Sequence, residues 1–244
     1  MVLSRRLVAG VLVAGGFLAC GSSGAGPAGD DGGADSTTED GGGEGSSGQD
    51  GTSADDSGPQ TGPLTCPGPG NYKNDGSGCG TERWDIKTGQ DTGAGAVALT
   101  PKLTTIATLT ALPAPATLGA TRIAPTETTL WELKDVHLQL VRLESDSDYH
   151  MVVADAGHTM IVEIPYPGCL GSSPWKCLVS RARATVDADI NVTTGGVNPN
   201  VTVSVMGVGF FDFQHGQTGV APNAIELHAV LAVCFGQGCD PRKQ

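Results

Sequence analysis

Apolar and polar residues alternate along the second half of the chain, and the alternation changes phase at defined places. Trp131 and Leu133 share one phase, whereas Val136, Leu138 and Leu140 share the other. A strand whose inward phase slips by one residue needs a bulge, here near Lys134-Asp135, and a bulge lets a long strand bend around a small barrel. Residues 150–154 and 159–164 are apolar strands joined by Asp155-Ala156-Gly157-His158, a hairpin signal. Ser173-Pro174-Trp175 reads as a helix start, with a capping Ser and a Pro at the first helical position. One apolar stripe of Trp175, Leu178, Val179, Ala182 and Val186 follows it. Val201, Val203 and Val205 alternate in a fourth strand, in which Gly207 and Gly209 suit a tight bend or a close backbone approach. Ile225, Leu227, Ala229, Leu231 and Val233 lie on one phase of a fifth.

Three strands, a helix and two more strands, with a long bulged first strand, is the order of a mainly β, five-stranded OB-like Greek-key barrel with one helix between strands three and four. An Ig-like sandwich is the alternative, but the strand count is low for it and the helix sits awkwardly in it. The barrel is expected over residues 128–235, between a Cys- and Pro-rich N-terminal extension over 64–127 and a C-terminal tail over 236–244. Within the extension, residues 64–80 read as a loop and residues 81–89, TERWDIKTG, as a short strand with Trp84 and Ile86 inward. Leu103, Ile106, Leu109 and Leu112 recur at helical spacing before Pro113, which predicts a short helix.

The N-terminus changes the picture from a domain to a tethered domain. Arg5 and Arg6 precede an apolar run over residues 7–18, which is too short for a membrane span and has the basic flank of a secretory signal peptide over residues 1–19. Phe17-Leu18-Ala19-Cys20 resembles the lipobox of bacterial lipoproteins, which implies lipidation of Cys20 and a membrane anchor. Residues 20–63 are Gly, Ser, Asp, Glu, Thr and Pro with almost nothing apolar, so they predict a disordered tether with a reach of about 36 Å. The expected location is the cell envelope, lipid-anchored to a bacterial membrane.

With Cys20 set aside, Cys66, Cys79, Cys169, Cys177, Cys234 and Cys239 remain, and an even set in an exported chain reads as disulfides. Nearness in sequence favours the pairs 66/79, 169/177 and 234/239. No C-x-x-C pair or Cys/His ligand spacing points to zinc. Of the net charge of −12, most belongs to the tether, and the folded part is only mildly anionic. That balance argues against nucleic acid as a partner.

Two stretches carry candidate chemistry. Glu144, Asp146, Asp148 and His150 fall at every second position, so an extended segment would put four ligand-type side chains on one face. The competing reading is a solvated hairpin loop. The second stretch holds Asp212, His215, Gln217, Asn223, Glu226 and His228, in which His is suited to general base work and Glu226 and His228 point to the same side of a strand. The competing reading is a loop that satisfies its own backbone, with His228 at a barrel surface. Arg181 and Arg183 read as the solvated face of the helix, and the aromatics mostly as core.

The segments RWDIKTG, APTETTLWEL, ESDSDYHMVV, TMIVEIPYPGC and GVGFFDFQHGQTGVAPNAIELHAV resemble an uncharacterised group of exported bacterial proteins with an OB-like domain, over residues 82–233. The resemblance implies one domain and brings no activity or ligand with it.

OB-folds bind ligands on the face of strands two and three, between the loops after strands one and four. Those loops are the two candidate stretches, and Tyr149, Met151, His158 or Glu163 would be exposed between them. No G-x-S-x-G, H-E-x-x-H or G-x-x-x-x-G-K is present. The leading expectation is a monomeric, non-enzymatic, surface-tethered binding module for a saccharide, peptide or envelope partner, with no cofactor. The alternative is a metal-dependent hydrolase of the phosphodiesterase or nuclease kind, with a divalent metal at Asp146, Asp148, His150 and His215.

Overall fold

The computed structural model describes residues 66–68 and 70–243. The signal peptide, Cys20 and the tether lie outside the described residues. Among the described residues six strands follow in order: β1 (Ala98–Thr104), β2 (Thr129–Leu143), β3 (Tyr149–Asp155), β4 (His158–Ile164), β5 (Val201–Phe211) and β6 (Ile225–Phe235). Three α-helices accompany them, α1 (Trp84–Thr88), α2 (Ile106–Thr110) and α3 (Lys176–Asp189). Neighbours run β2-β3-β4-β6-β5, and β5 pairs back onto β2, so five strands close into a barrel. All the barrel pairings are antiparallel except β4 with β6, and α3 lies between β4 and β5 in the chain. This is the OB-like barrel that the order of elements predicts.

The bulge expected at Lys134-Asp135 is present. In the β2–β5 ladder the register shifts between Leu133/Val205 and Val136/Val203, and Asp135 takes a positive φ. Ser204 Oγ accepts from the Asp135 N–H at 3.0 Å, so the displaced amide is not left bare. A second shift, between Leu138 and Leu140, was not expected from the pattern. It turns Leu140 partly outward and brings Val141 and Leu143 into the core. The β3–β4 hairpin turns through Ala156 and Gly157, both with positive φ, as the two-residue turn requires.

The barrel interior is filled from every strand by Leu133, Val136, Leu138, Tyr149, Met151, Met160, Val162, Val203, Val205, Leu227 and Val233, all buried. Helix α3 closes it with Trp175, Val179, Ala182 and Val186. The helix begins two residues after Pro174, and Ser173 Oγ accepts from the Trp175 N–H at its approach. The apolar stripe was read correctly, but Arg183 is not on a solvated face: it is fully buried.

Close approach explains Gly209. A Cβ there would collide with the Thr126 carbonyl oxygen and the Trp131 indole, which already hydrogen-bond each other at 3.0 Å. Gly209→Ala is therefore expected to cost about 1–3 kcal/mol of stability, read as a lower urea midpoint at unchanged slope.

The N-terminal extension departs most from expectation. Residues 84–88 form a helix rather than a strand, bounded by Arg83 and Gly89 in the left-handed region, and the Gly89 N–H closes the last turn onto Ile86. Nine residues with a Gly stop suit either element locally, and contact with the barrel decided. Leu103 lies in the added strand β1, which pairs parallel with β2 and leaves Leu103 exposed. Only Ile106–Thr110 is helical, started by Thr105, whose hydroxyl accepts from the Thr108 N–H.

The disulfides show how the extension is held. Cys66 pairs with Cys177 and Cys79 with Cys169, and only Cys234–Cys239 joins close neighbours. Nearness in sequence misled twice because the extension folds back across the end of β4 and the start of α3, and so meets cysteines about a hundred positions away.

Candidate functional site

Three strands place one polar side chain each on the outer face of the barrel. His150 of β3 lies opposite Glu163 of β4, and Glu163 lies opposite His228 of β6. Directly opposed residues on one sheet face come within side-chain reach, so this register builds a row. His150 Nδ1 is 2.7 Å from Glu163 Oε1, and His228 Nδ1 is 3.1 Å from Glu163 Oε2 and from Glu226 Oε1. The second His150 nitrogen meets the Thr218 carbonyl oxygen at 3.0 Å.

The loop from Glu144 to Asp148 adds a carboxylate at one end. Asp146 Oδ1 accepts from the Asp148 N–H, a local turn that points Asp148 inward, where its Oδ1 accepts from the Tyr166 N–H at 2.7 Å. Its Oδ2 stops 3.3 Å from His228 Nε2 without hydrogen-bond geometry, and both atoms are buried and unpartnered. The loop is therefore buried at one end rather than solvated throughout: Ser147 and Asp148 are shut off from solvent, Glu144 and Asp146 are partly exposed, and Ser145 is open.

The face expected to be open is covered. Tyr149 and Met151 point into the barrel because they belong to the inward phase of β3, and Glu163 is buried beneath the extension; only His158 is exposed. Helix α1 lies over β6 and carries Lys87, whose Nζ is 3.0 Å from Asp212 Oδ2 and lies over the Phe210 ring. Arg83 adds a bidentate pair with buried Glu127 at 2.7 and 2.8 Å. His228 is likewise fully buried, not at a barrel surface.

Burial and crowding set the charges. Burial disfavours a charged His228, but the carboxylates of Asp148, Glu163 and Glu226 outweigh it and hold the imidazole well above its ordinary range. Burial also works against ionised Glu163, yet His150, His228 and Lys87 keep it well below the usual carboxylate range. Glu226 is pushed up to about 7 by burial and by the charge of Glu163. Asp146 is raised to about 6 by burial and by Asp148. For Lys87, burial is again outweighed, by Glu226, Glu163 and Asp212, so its pKa rises.

Beside this row opens a pocket of about 370 Å³, lined by Ser77, Thr81, Glu82, Trp84, Ser145 and Asp146, with Lys87 in its wall. Trp84 and Asp146 meet across Gly80: a Cβ at Gly80 would strike the Trp84 ring and come within 3.2 Å of Asp146 Oδ2. The pocket thus presents one aromatic ring, two carboxylates and several hydroxyls.

The expected site residues divide. Asp148, His150, Glu226 and His228 come together, Asp212 joins through Lys87, and Asp146 bridges the row and the pocket. Glu144 pairs with Arg142 and stands 3.8 Å from His150. His215 is exposed and paired with Glu82 at 2.8 Å. Gln217 serves its own loop, accepting from the His215 N–H and donating to the Phe213 carbonyl. Asn223 donates to the carbonyls of Leu109 and Leu112 at the end of α2, a structural cap.

The candidate set missed Lys87 and Trp84, and Glu163 was expected only as an exposed residue of the strand face. Glu163 had a signal, as the lone charge in an otherwise apolar strand; Lys87 and Trp84 had none, because a fold-back contact brings them there. Among the described residues no helix is long and apolar enough to cross a membrane. No family model, no curated protein and no solved structure matches this chain.

Proposed function

We propose that this protein is a surface-tethered, lipid-anchored binding module of the cell envelope, and that it takes a saccharide in the pocket between the β2–β3 loop and the N-terminal extension. The observation that carries the reading is the meeting of Trp84 and Asp146 across Gly80 in a pocket that also presents the hydroxyls of Ser77, Thr81 and Ser145, with Glu82 and Lys87 in its wall. A sugar ring offers an apolar C–H face to stack on an indole and hydroxyls to bond to carboxylates, and sites of this kind pair a few placed polar groups with an apolar surface. The extension shields the strand face, so the ligand is a short segment or chain end rather than a polymer lying across the barrel. For a metal-dependent hydrolase His215 would have to join Asp146 and Asp148, and its partner is Glu82 rather than either of them.

The test is a glycan array followed by calorimetry with the strongest-binding oligosaccharide. Trp84→Ala should weaken that binding by about 30-fold, the size of an aromatic hot spot, while the thermal midpoint stays close to that of the parent. Failure of every glycan to bind, or binding indifferent to Trp84→Ala, would sink the reading.

A further inference from the structure

The row beneath the pocket contains a feature that saccharide binding does not use. Asp148 Oδ2 and His228 Nε2 face each other at 3.3 Å, both in fully buried residues and both without a hydrogen-bond partner. They attract each other by charge, but buried polar atoms without a well-formed hydrogen bond are costly in a protein interior, and an ion held by both would satisfy each. Asp148, Glu163 and His228 each offer one ligand atom, and the three atoms lie within 4.8 Å of one another.

We propose that Asp148, His228 and Glu163 bind a divalent transition metal of the zinc class. The donor set, one imidazole nitrogen and two carboxylate oxygens, suits such an ion better than the all-oxygen shells preferred by calcium and magnesium. The surroundings fit a ligand imidazole: one ring nitrogen is held by carboxylate so that the other carries its lone pair toward the metal. His228 Nδ1 has two such partners, Glu226 Oε1 and Glu163 Oε2, each at 3.1 Å. Glu226 alone keeps the ring oriented, which frees Glu163 for the ion. The Tyr166 N–H fixes one oxygen of Asp148 and leaves the other for the metal. The site stands whether or not the pocket takes a sugar.

The test is calorimetric titration of the full, oxidised, EDTA-treated protein with zinc chloride, repeated on Asp148→Asn, His228→Gln and His215→Ala. The expected result is one equivalent bound, affinity weakened at least 100-fold by Asp148→Asn and by His228→Gln, and affinity unchanged by His215→Ala. Absence of stoichiometric binding by the parent overturns the proposal. So does binding that survives the first two substitutions, or that disappears with His215→Ala, which would place the ion at the exposed His215–Glu82 pair. Should the buried variants fail to fold, one equivalent of cobalt(II) decides between the sites on folded protein. Visible bands of a nitrogen- and oxygen-ligated ion, retained in His215→Ala, support the buried site, and their absence from either protein overturns it.

Discussion

Arg183→Ala is expected to remove about 5 kcal/mol of stability, a third or more of the roughly 5–15 kcal/mol that a typical domain possesses. The guanidinium is fully buried and donates to three main-chain carbonyls in three segments: Ile164 at the end of β4 (3.0 Å), Ser147 in the β2–β3 loop (2.8 Å) and Lys73 in the extension (2.7 Å). It also lies over the Tyr149 ring at 3.4 Å. Truncation takes a donor from each of the three carbonyls and leaves a void over the ring, and a buried group that loses its partner costs about 1–3 kcal/mol. Urea unfolding measures the effect. Arg183→Met separates the causes, since it refills the void and restores no donor. A loss below about 1 kcal/mol for Arg183→Ala would mean that water reaches the carbonyls and that the side chain is not the tie described.

Replacing Cys79 and Cys169 together by serine is expected to cost about 3 kcal/mol, because with Cys66–Cys177 intact that bridge closes a loop of about 20 positions, whereas losing Cys234–Cys239, which spans five, should cost about 2 kcal/mol. The difference arises in the unfolded chain, where a long loop has more freedom to lose. Cys79 also lines the pocket, so the double variant should weaken saccharide binding more than the Cys234/Cys239 variant does. Urea midpoints of the two double variants under identical buffer decide it. Equal losses would remove loop closure as the explanation and leave local contacts.

Local pattern carried the barrel because its strands report their burial two residues at a time. The phase slip at Lys134-Asp135 appears as the shift between the Leu133/Val205 and Val136/Val203 pairs, and Ala156-Gly157 is legible as a turn because its backbone needs positive φ. The slip after Leu138 was hidden, since Leu140 and Val141 are both apolar and either could face inward. Arg183 was unreadable for a related reason: a charge on a helix is usually solvated, and only a converging set of carbonyls makes its burial tolerable.

The site divides along the same line. Asp148, His150, Glu226 and His228 were legible as chemistry-bearing residues at two-residue spacing, in two stretches that lead from loops into strands β3 and β6. What joined them was register between strands, which set Glu163 between the two histidines. What covered them was a long-range fold-back fastened by Cys66–Cys177 and Cys79–Cys169. The chain's order of residues by itself determined the five-stranded barrel, its bulged first strand and its closing helix, because periodicity is a local property of side chains and backbone. The tertiary structure alone decided the disulfide partners, the burial of the charged row and the position of the pocket, because each depends on which distant segments end side by side.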